Sequence, residues 1–241
     1  MFYSARFGIL FIACPKTGST SVESYLLNLD PEGQRFSLDY KGRRHTSKHV
    51  KSSSLGHATA LEFRSLLGEQ EFSALKVFGF VRDPREKLVS GYFFARRLSV
   101  WHSLVNTKGP KRLRNTLRIV TSILLARLLP FQVYVFVKPM KRCSDYFLDQ
   151  DGMPLVDFLG STERLGEDLV AILGMCGVGE LKDIPPHLNR SSHKGADEYF
   201  TPFMNRFMHF RYLKDVELYE MLKGGVYVRD QMQDCRQQNP I

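Results

Sequence analysis

The chain has 241 residues, with 34 Lys and Arg against 25 Asp and Glu and a formal net charge of +9. Its 43% hydrophobic and 24% charged residues are typical of a globular protein and exclude a disordered, collagen-like or disulfide-dense chain. A pI near 9.4 indicates an anionic partner, such as a nucleotide, a nucleic acid, an acidic polysaccharide or an acidic membrane surface, without choosing among them.

The first third of the chain alternates predicted strands and helices. Residues 8–14 form a continuous apolar run of strand formers, which predicts a buried parallel strand. A helix is predicted from Ser19 or Thr20 to about Leu29. The polar and basic residues 37–55 predict a loop, and residues 58–67 predict a helix with Gly68 as its C-cap.

The middle of the chain predicts two further strands. Residues 77–81 form a second buried strand, after which Asp83 caps a helix with Pro84 at its first position, reaching about Leu98. The most apolar stretch is residues 117–137. It contains charged residues, which favour a buried helix followed by a third strand over residues 133–137 and argue against a membrane span.

The last third adds a turn at Asp151-Gly152 between two strand segments, the second at residues 155–159, and a helix over residues 163–173. A polar loop at 185–195 and two helices between residues 202 and 222 follow. This alternation predicts one P-loop-like α/β domain spanning residues 1–241, with a central parallel sheet flanked by helices.

A candidate phosphate loop lies between the first strand and the first helix, as Pro15-Lys16-Thr17-Gly18-Ser19-Thr20-Ser21. Anions bind where backbone N–H groups converge at a helix N-terminus, a Gly permits close approach, and hydroxyls add donors. The loop has these features and a Lys, but it is not a Walker A motif, because the chain contains no Gly-Lys dipeptide. The alternative is a polar turn that only caps the helix.

A second candidate anion site is the segment from Arg82 to Ser90. Arg82 ends a buried strand, where its guanidinium is well placed to bind a phosphate with two hydrogen bonds, and Ser90 lies in the second turn of the next helix. The alternative is that Arg82 pairs with a carboxylate and Ser90 is a small packing residue.

Together the two segments resemble the sulfotransferases that use 3′-phosphoadenosine-5′-phosphosulfate (PAPS). Residues 16–21 match the family's P-K-[TA]-[GA]-[ST]-[ST]-[ST] loop. The family's R-[DN]-P-x-x-[RK]-x-x-S segment is matched by Arg82, Asp83, Pro84, Lys87 and Ser90. Residues 157–165 and the Pro186-His-Leu-Asn-Arg-Ser191 loop extend the likeness to the family 2 branch, which includes carbohydrate sulfotransferases related to the heparan and chondroitin enzymes.

The resemblance implies a role for each motif residue. The 5′-phosphosulfate of PAPS would be held by Lys16, Thr17, Gly18, Ser19, Thr20 and Ser21. Arg82 and Ser90 would hold the 3′-phosphate, and Asn189 and Ser191 would contact the nucleotide. The reaction would be in-line transfer of a sulfuryl group to an acceptor hydroxyl, expected on a glycan, with Lys16 neutralising the bridging oxygen. No metal is required, because a sulfuryl group carries less charge than a phosphoryl group.

An acceptor hydroxyl needs a general base, and His suits this role at neutral pH. A similar H-x-[ST]-A helix precedes the second motif in family 2 members, which favours His57 as the base, with His49 second and His45 third. The alternative for each is an exposed loop histidine.

Two other functions stay open. An atypical P-loop nucleotide kinase or hydrolase would need Mg²⁺, and the missing Gly-Lys counts against it. A non-catalytic domain that binds anionic polysaccharide would be indifferent to loss of His57. The basic runs at 41–51 and 108–118 suit either a cleft that attracts anions or solvated faces. No nucleic-acid partner is expected, because no known binding module is recognisable.

The cysteines and the N-terminus bear on compartment. The chain has four cysteines, Cys14, Cys143, Cys176 and Cys235. They are predicted to be free thiols in a reducing compartment, although an even number permits two disulfides. The absence of a C-x-x-C pair argues against a zinc site. Residues 7–14 are too short an apolar run for a signal peptide. The expected localisation is soluble and cytoplasmic, or the Golgi lumen if the sequence is a truncated form of a membrane-anchored enzyme.

Overall fold

The structure is a computed structural model that describes residues 1–38, 44–46, 58–100, 110–179 and 193–229. Contacts separate two compact units. The first comprises residues 1–82, 142–189 and 214–241, and the second comprises residues 83–141 and 190–213. The single domain over residues 1–241 stays a prediction. In the described part of the chain, no helix is both long and apolar enough to cross a membrane.

The first unit contains a mixed seven-stranded sheet with the strand order β4-β3-β1-β2-β5-β6-β7. Its strands are β1 (Phe2–Ser4), β2 (Ile9–Ile12), β3 (Gln34–Leu38), β4 (Arg44–Thr46), β5 (Lys76–Val81), β6 (Phe158–Ser161) and β7 (Tyr227–Val228). Among the strands that the structure describes, β2, β5 and β6 pair in parallel. The other pairings are antiparallel.

The predicted parallel sheet is therefore correct for the three central strands and wrong for the sheet as a whole. The added strands are short, and they lie on both sides of the parallel trio. β3 and β4 also correct the predicted loop over residues 37–55. Their antiparallel register, which places Ser37 opposite His45, comes from backbone pairing that does not need an apolar sequence.

The helices follow one another as α1 (Ser19–Leu29), α2 (Ala60–Leu67), α3 (Glu69–Ser73), α4 (Pro84–Arg97), α5 (Pro110–Leu128), α6 (Phe131–Val137), α7 (Ser144–Phe147), α8 (Leu165–Met175), α9 (Pro202–Arg211) and α10 (Leu213–Met221). Local capping explains where two of them begin. Thr59 and Glu62 form a capping box that starts α2, two residues after the predicted start. Asp83 accepts from the Arg85 N–H at 2.8 Å and starts α4 as predicted.

The core of the first unit is aromatic where the parallel strands meet. All four residues of β2 are buried, and the Phe11 ring lies 5.3 Å from that of Phe78. Gly79 of β5 makes room for a neighbour, since a Cβ there would lie 2.3 Å from the Phe147 ring. Close packing of this kind stabilises the strand ends that carry the candidate site.

The second unit packs α4, α5, α6 and α9 around a separate core, which includes Leu88, Tyr92, Tyr134 and Met208. Here the predicted strand over residues 133–137 is wrong, because these residues belong to α6. The segment is rich in strand formers, but Phe131, Tyr134 and Val135 are buried at helical spacing. Tertiary packing therefore outweighs strand propensity.

The structure differs from the sequence predictions in three further respects. The expected buried helix before residue 133 is half exposed, with Leu128 78% accessible. The turn at Asp151-Gly152 is present, closed by a bridge between Leu148 and Pro154, but a short helix, α7, precedes it. β6 and α8 begin two to three residues later than predicted, at Phe158 and Leu165.

Candidate functional site

The candidate phosphate loop joins the buried end of β2 to the first residue of α1. Lys16 has φ +71°, and among the described residues it is the one non-glycine residue with positive φ. Such a conformation strains a residue that carries a Cβ, and it is found where a backbone must present its N–H groups in a particular direction. The backbone strain therefore lies on Lys16, the residue whose ammonium group the sequence analysis assigns to the bridging oxygen of the donor.

The N-terminus of α1 has features that suit an anion. Gly18 occupies the N-cap with φ +74° and supplies no side-chain cap, and the first turn of the helix contains no acidic residue. The first N–H groups of a helix have no intrahelical acceptor, and the helix dipole adds partial positive charge there. Ser19 and Thr20 are at least partly accessible, whereas Ser21 is buried.

Thr17 stabilises the loop from within. Its side chain is fully buried, and its Oγ1 donates a 3.0 Å hydrogen bond to the carbonyl oxygen of Cys14. A ligand would therefore meet the backbone of Thr17 more readily than its hydroxyl proton. The sequence predicted a binding role for Thr17, and the observed bond adds a structural one.

Arg82, the first residue of the second motif, contacts the loop of the first motif. β5 is the parallel neighbour of β2, with Gly79 in register with Ile12, so the two strands end at the same edge of the sheet. Arg82 follows β5 directly, and its Nη1 donates to the carbonyl oxygen of Lys16 at 3.4 Å. Ligands of α/β folds bind outside the carboxyl ends of such strands.

Two other features of the same edge lie within residues 157–165, which the sequence analysis singled out only as a family likeness and without roles for single residues. Thr162, after β6, donates from Oγ1 to the carbonyl oxygen of Val81 at 3.0 Å and so ties the ends of β5 and β6 together. Ser161, Glu163 and Arg164 contribute to the lining of a cavity of about 130 Å³. The sequence pointed to this segment, and the parallel pairing of β5 with β6 adds its position beside the end of β5.

The residue before the loop, Cys14, contacts a buried segment that begins at Cys143. The Sγ of Cys14 lies 3.3 Å from the Sγ of Cys143, and both are buried thiols outside any disulfide. Asp215 of α10 is 1% accessible and accepts from the N–H groups of Cys143 and Ser144 at 2.7 and 2.8 Å. No spacing in the sequence pointed to this arrangement.

In the second unit, α4 carries the rest of the second motif. Ser90 is buried in its second turn, and the buried Lys87 donates from Nζ to the carbonyl oxygen of Lys141 at 2.9 Å. Partial burial lowers the pKa of Arg85, but hydrogen bonds and charge from Asp83 and Asp197 outweigh it and raise the pKa above its usual value. Arg85 is thus engaged in holding the start of α4.

The larger cavity of the first unit, about 330 Å³, lies elsewhere. It is at the opposite edge of the sheet, beside Val77 at the start of β5. Its charged walls are paired, Arg64 with Glu69 at 2.5 Å and Arg229 with Asp157 at 3.4 Å. A choice of site by cavity volume alone would therefore not select the motif residues.

Comparison with protein families identifies the family of the chain. A model described as the sulfotransferase family, in its family 2 form, matches residues 1–121, which is half of the chain. The chain belongs to the sulfotransferase family. Comparison with curated proteins and with solved structures found no match.

The family match includes both anion segments, since residues 16–21 and 82–90 lie inside it. Residues 157–165 and 186–191, on which the likeness to the carbohydrate enzymes partly rests, lie beyond it. The match supports a family 2 sulfotransferase, and the likeness to the carbohydrate enzymes related to the heparan and chondroitin enzymes stays a prediction.

The predicted bases and the nucleotide loop fall largely outside the described residues, namely His57, His49, Asn189 and Ser191. His45 is described only by its backbone in β4. Two described histidines have visible surroundings. His193 stacks on Phe93 with ring centroids 5.5 Å apart, and His209 is exposed on α9. The assignment of the base stays a prediction.

The site residues suit an anionic ligand. Within the ranges the structure describes, no three His, Cys, Asp or Glu side chains come close enough together to hold a metal ion. The loop offers helix N–H groups, hydroxyls and an ammonium group, and Arg82 adds a guanidinium beside them. This donor set fits a phosphate or sulfate ester.

Proposed function

We propose that this sulfotransferase uses PAPS and transfers its sulfuryl group to an acceptor hydroxyl on a carbohydrate. The observation that carries the proposal is the hydrogen bond from the Arg82 guanidinium to the backbone carbonyl of Lys16, which joins the two motifs beside the carboxyl ends of the parallel strands. PAPS has two separate anionic ends, a 5′-phosphosulfate and a 3′-phosphate, so a donor site needs at least two cationic groups.

In this proposal the loop binds and orients the donor. The N–H groups at the start of α1, with Ser19, Thr20 and Ser21, hold the 5′ end, and Arg82 holds the 3′-phosphate. The sequence motif also assigns Ser90 to the 3′-phosphate. PAPS, when bound, supplies the activated sulfuryl group.

Lys16 and a histidine are assigned the chemistry. The Lys16 ammonium neutralises the charge that develops on the bridging oxygen, which is where stabilisation lowers the barrier most. A His, with His57 preferred over His49 and His45, removes the proton of the acceptor hydroxyl. No metal is needed, since a sulfuryl group brings less negative charge than a phosphoryl group.

The first test is calorimetric binding of adenosine-3′,5′-bisphosphate without Mg²⁺, with ATP and AMP as controls. We expect the bisphosphate to bind, and Arg82→Ala to weaken its binding roughly 10- to 100-fold, because a charge-assisted hydrogen bond is lost. Arg6→Ala, at an exposed arginine outside both motifs, should bind as the wild type does. No binding of the bisphosphate would contradict the proposal and leave the kinase and non-catalytic alternatives. A preference for ATP in a parallel titration with Mg²⁺ would favour the kinase.

The second test separates catalysis from binding. With PAPS and a panel of glycan acceptors, His57→Ala should lower the rate of sulfuryl transfer by about 10² to 10⁴. Bisphosphate affinity should not change. The same substitutions at His49 and His45 rank the three candidates. Full activity in all three variants would contradict a base in this region, and bisphosphate binding with no transfer to any acceptor would favour a non-catalytic domain.

A further inference from the structure

The two units differ sharply in charge. The second unit has 16 Lys and Arg against four Asp and Glu, a formal net charge of +12. The first has 18 against 21, a net charge of −3. No Asp or Glu occurs between Glu86 and Asp145. The positive charge of the chain is therefore concentrated in one unit, and a single anionic binding site does not need so much of it.

The second unit also carries most of the exposed apolar side chains. Fourteen large hydrophobic residues are exposed among the described side chains, and eleven of them belong to this unit. Phe203 is 70% accessible and Phe210 is 86% accessible. Scattered exposed residues are ordinary, but a concentration of them marks an interaction surface.

Part of this apolar surface is continuous. Phe203, Phe207 and Phe210 recur on α9 at the spacing of one helix face. From α6, the Phe136 ring lies 6.0 Å from that of Phe203 and 4.5 Å from that of Phe207. The α6–α9 surface is defined here as Val133, Phe136, Val137, Phe203, Phe207 and Phe210.

Cations accompany this surface. Neither α6 nor α9 contains an acidic residue, and α9 presents Arg206, His209 and Arg211. The Arg211 guanidinium lies 5.9 Å from the Phe207 ring centroid. Lys138 follows α6, and its pKa is lowered mainly by partial burial and to a lesser extent by the charge of Arg118.

We propose that the α6–α9 surface docks on an anionic lipid bilayer. Aromatic rings enter the boundary between headgroups and acyl chains, while Arg and Lys bind lipid phosphates, so one partner satisfies both features. An acidic polysaccharide would bind the cations and leave the phenylalanines in water. A second copy of the chain would cover the rings and bring two strongly positive units together.

Flotation of the full chain with vesicles tests this docking. Vesicles of phosphatidylcholine with a minor fraction of phosphatidylserine should bind the protein at low salt, and pure phosphatidylcholine should bind it weakly. The double variant Phe203→Ser/Phe210→Ser should bind about tenfold less. Met175→Ser/Met221→Ser, at exposed residues of the first unit, is the matched control and should bind as wild type.

The charges are tested separately. Each of Arg206→Gln and Arg211→Gln should weaken vesicle binding about fivefold, and added salt should weaken it further. Circular dichroism verifies that each variant is folded, which is expected because all four substituted residues of α9 are exposed.

Three outcomes would overturn the proposal. The first is equal or no binding to the two kinds of vesicle. The second is binding that survives loss of the phenylalanines and is matched by a soluble sulfated polysaccharide, which would assign the surface to a glycan. The third is a dimer formed without lipid and abolished by Phe203→Ser/Phe210→Ser, which would assign the surface to a second copy.

Discussion

The sequence motif predicted a role for the side-chain charge of Lys16. It did not predict the backbone conformation of this residue. Its φ of +71° places the strain at the turn between β2 and α1, and Gly18 adds a second positive φ two residues later. Two such residues in one short turn are typical of loops whose backbone N–H groups converge on an anion. The backbone of the loop is therefore as relevant to the proposed donor site as its side chains are.

Gly18→Ala is expected to disturb this loop. An alanine with φ near +74° is strained by about 1–2 kcal/mol, and its Cβ would lie 3.0 Å from Cδ2 of Leu165. We expect a lower urea midpoint and weaker bisphosphate binding. Gly174→Ala is the control, because nothing lies within 4 Å of its Cβ inside α8 and it should stabilise by about 0.5–1 kcal/mol. Equal effects of the two changes would contradict the proposed strain.

Cys176 should be an unreactive thiol near neutral pH. Burial raises its pKa to about 11, with the charge of Asp157 acting in the same direction and Lys76 opposing it. Peptide-resolved alkylation should therefore be slow near pH 8 and accelerate toward the raised pKa. Because the folded state holds this proton more tightly than the unfolded state, the thiol's contribution to stability is complete below the unfolded pKa and is lost as pH rises toward about 11.

Lys76→Gln should move the alkylation profile of Cys176 to still higher pH, since it removes a charge that lowers the pKa. The same cysteine in urea gives the unfolded reference. A profile in the native protein that coincides with the reference would contradict the burial of this thiol.

At the scale of elements, α10 supports the phosphate loop from a distance in sequence. Its Asp215 carboxylate accepts the N–H groups of Cys143 and Ser144, and Cys143 in turn contacts Cys14 at the start of the loop. A helix near the end of the chain thus stabilises the turn near its beginning. The Asp215 carboxylate is the part of this arrangement that a single substitution can test.

Asp215→Ala should destabilise the protein by about 3 kcal/mol, because two buried N–H groups lose their acceptor. Asp215→Asn keeps one acceptor oxygen and should cost less. Glu217→Ala, at an exposed position of the same helix, should change the free energy of unfolding little. Urea denaturation measures all three. A cost for Asp215→Ala no larger than that for Glu217→Ala would show that these bonds contribute little.

At the scale of the whole molecule, the donor should act as a stabilising ligand. A ligand at a hundred times its Kd adds about 2.7 kcal/mol to the folded state, which for a chain of this size raises Tm by roughly 5–10 °C. Adenosine-3′,5′-bisphosphate should produce this shift without Mg²⁺. Thermal unfolding with AMP and with ATP at equal ionic strength provides the controls, and Arg82→Ala should abolish most of the shift. An equal shift from AMP would argue against a 3′-phosphate site.

Elements with strong local signals were predicted well. β2, α1 and the Asp83-capped α4 depend on apolar runs and capping residues a few positions apart, and each lies where the sequence placed it. The antiparallel strands β1, β3, β4 and β7 were missed, because a short strand is defined by its pairing partner rather than by its own residues. α6 was misassigned for a related reason, since its burial against Tyr92 is invisible in its sequence.

The sequence by itself determined the family and the excess of positive charge and predicted two candidate anion segments, because these depend on residue types and, for the motifs, on short spacings. Only the tertiary structure decided that Arg82 contacts Lys16, that Cys143 contacts Cys14, and that the phenylalanines of α6 and α9 share one exposed surface. Each of these contacts joins residues far apart in the chain. Such contacts arise when strand pairing and core packing bring distant segments together, and no local pattern of residues encodes that distance.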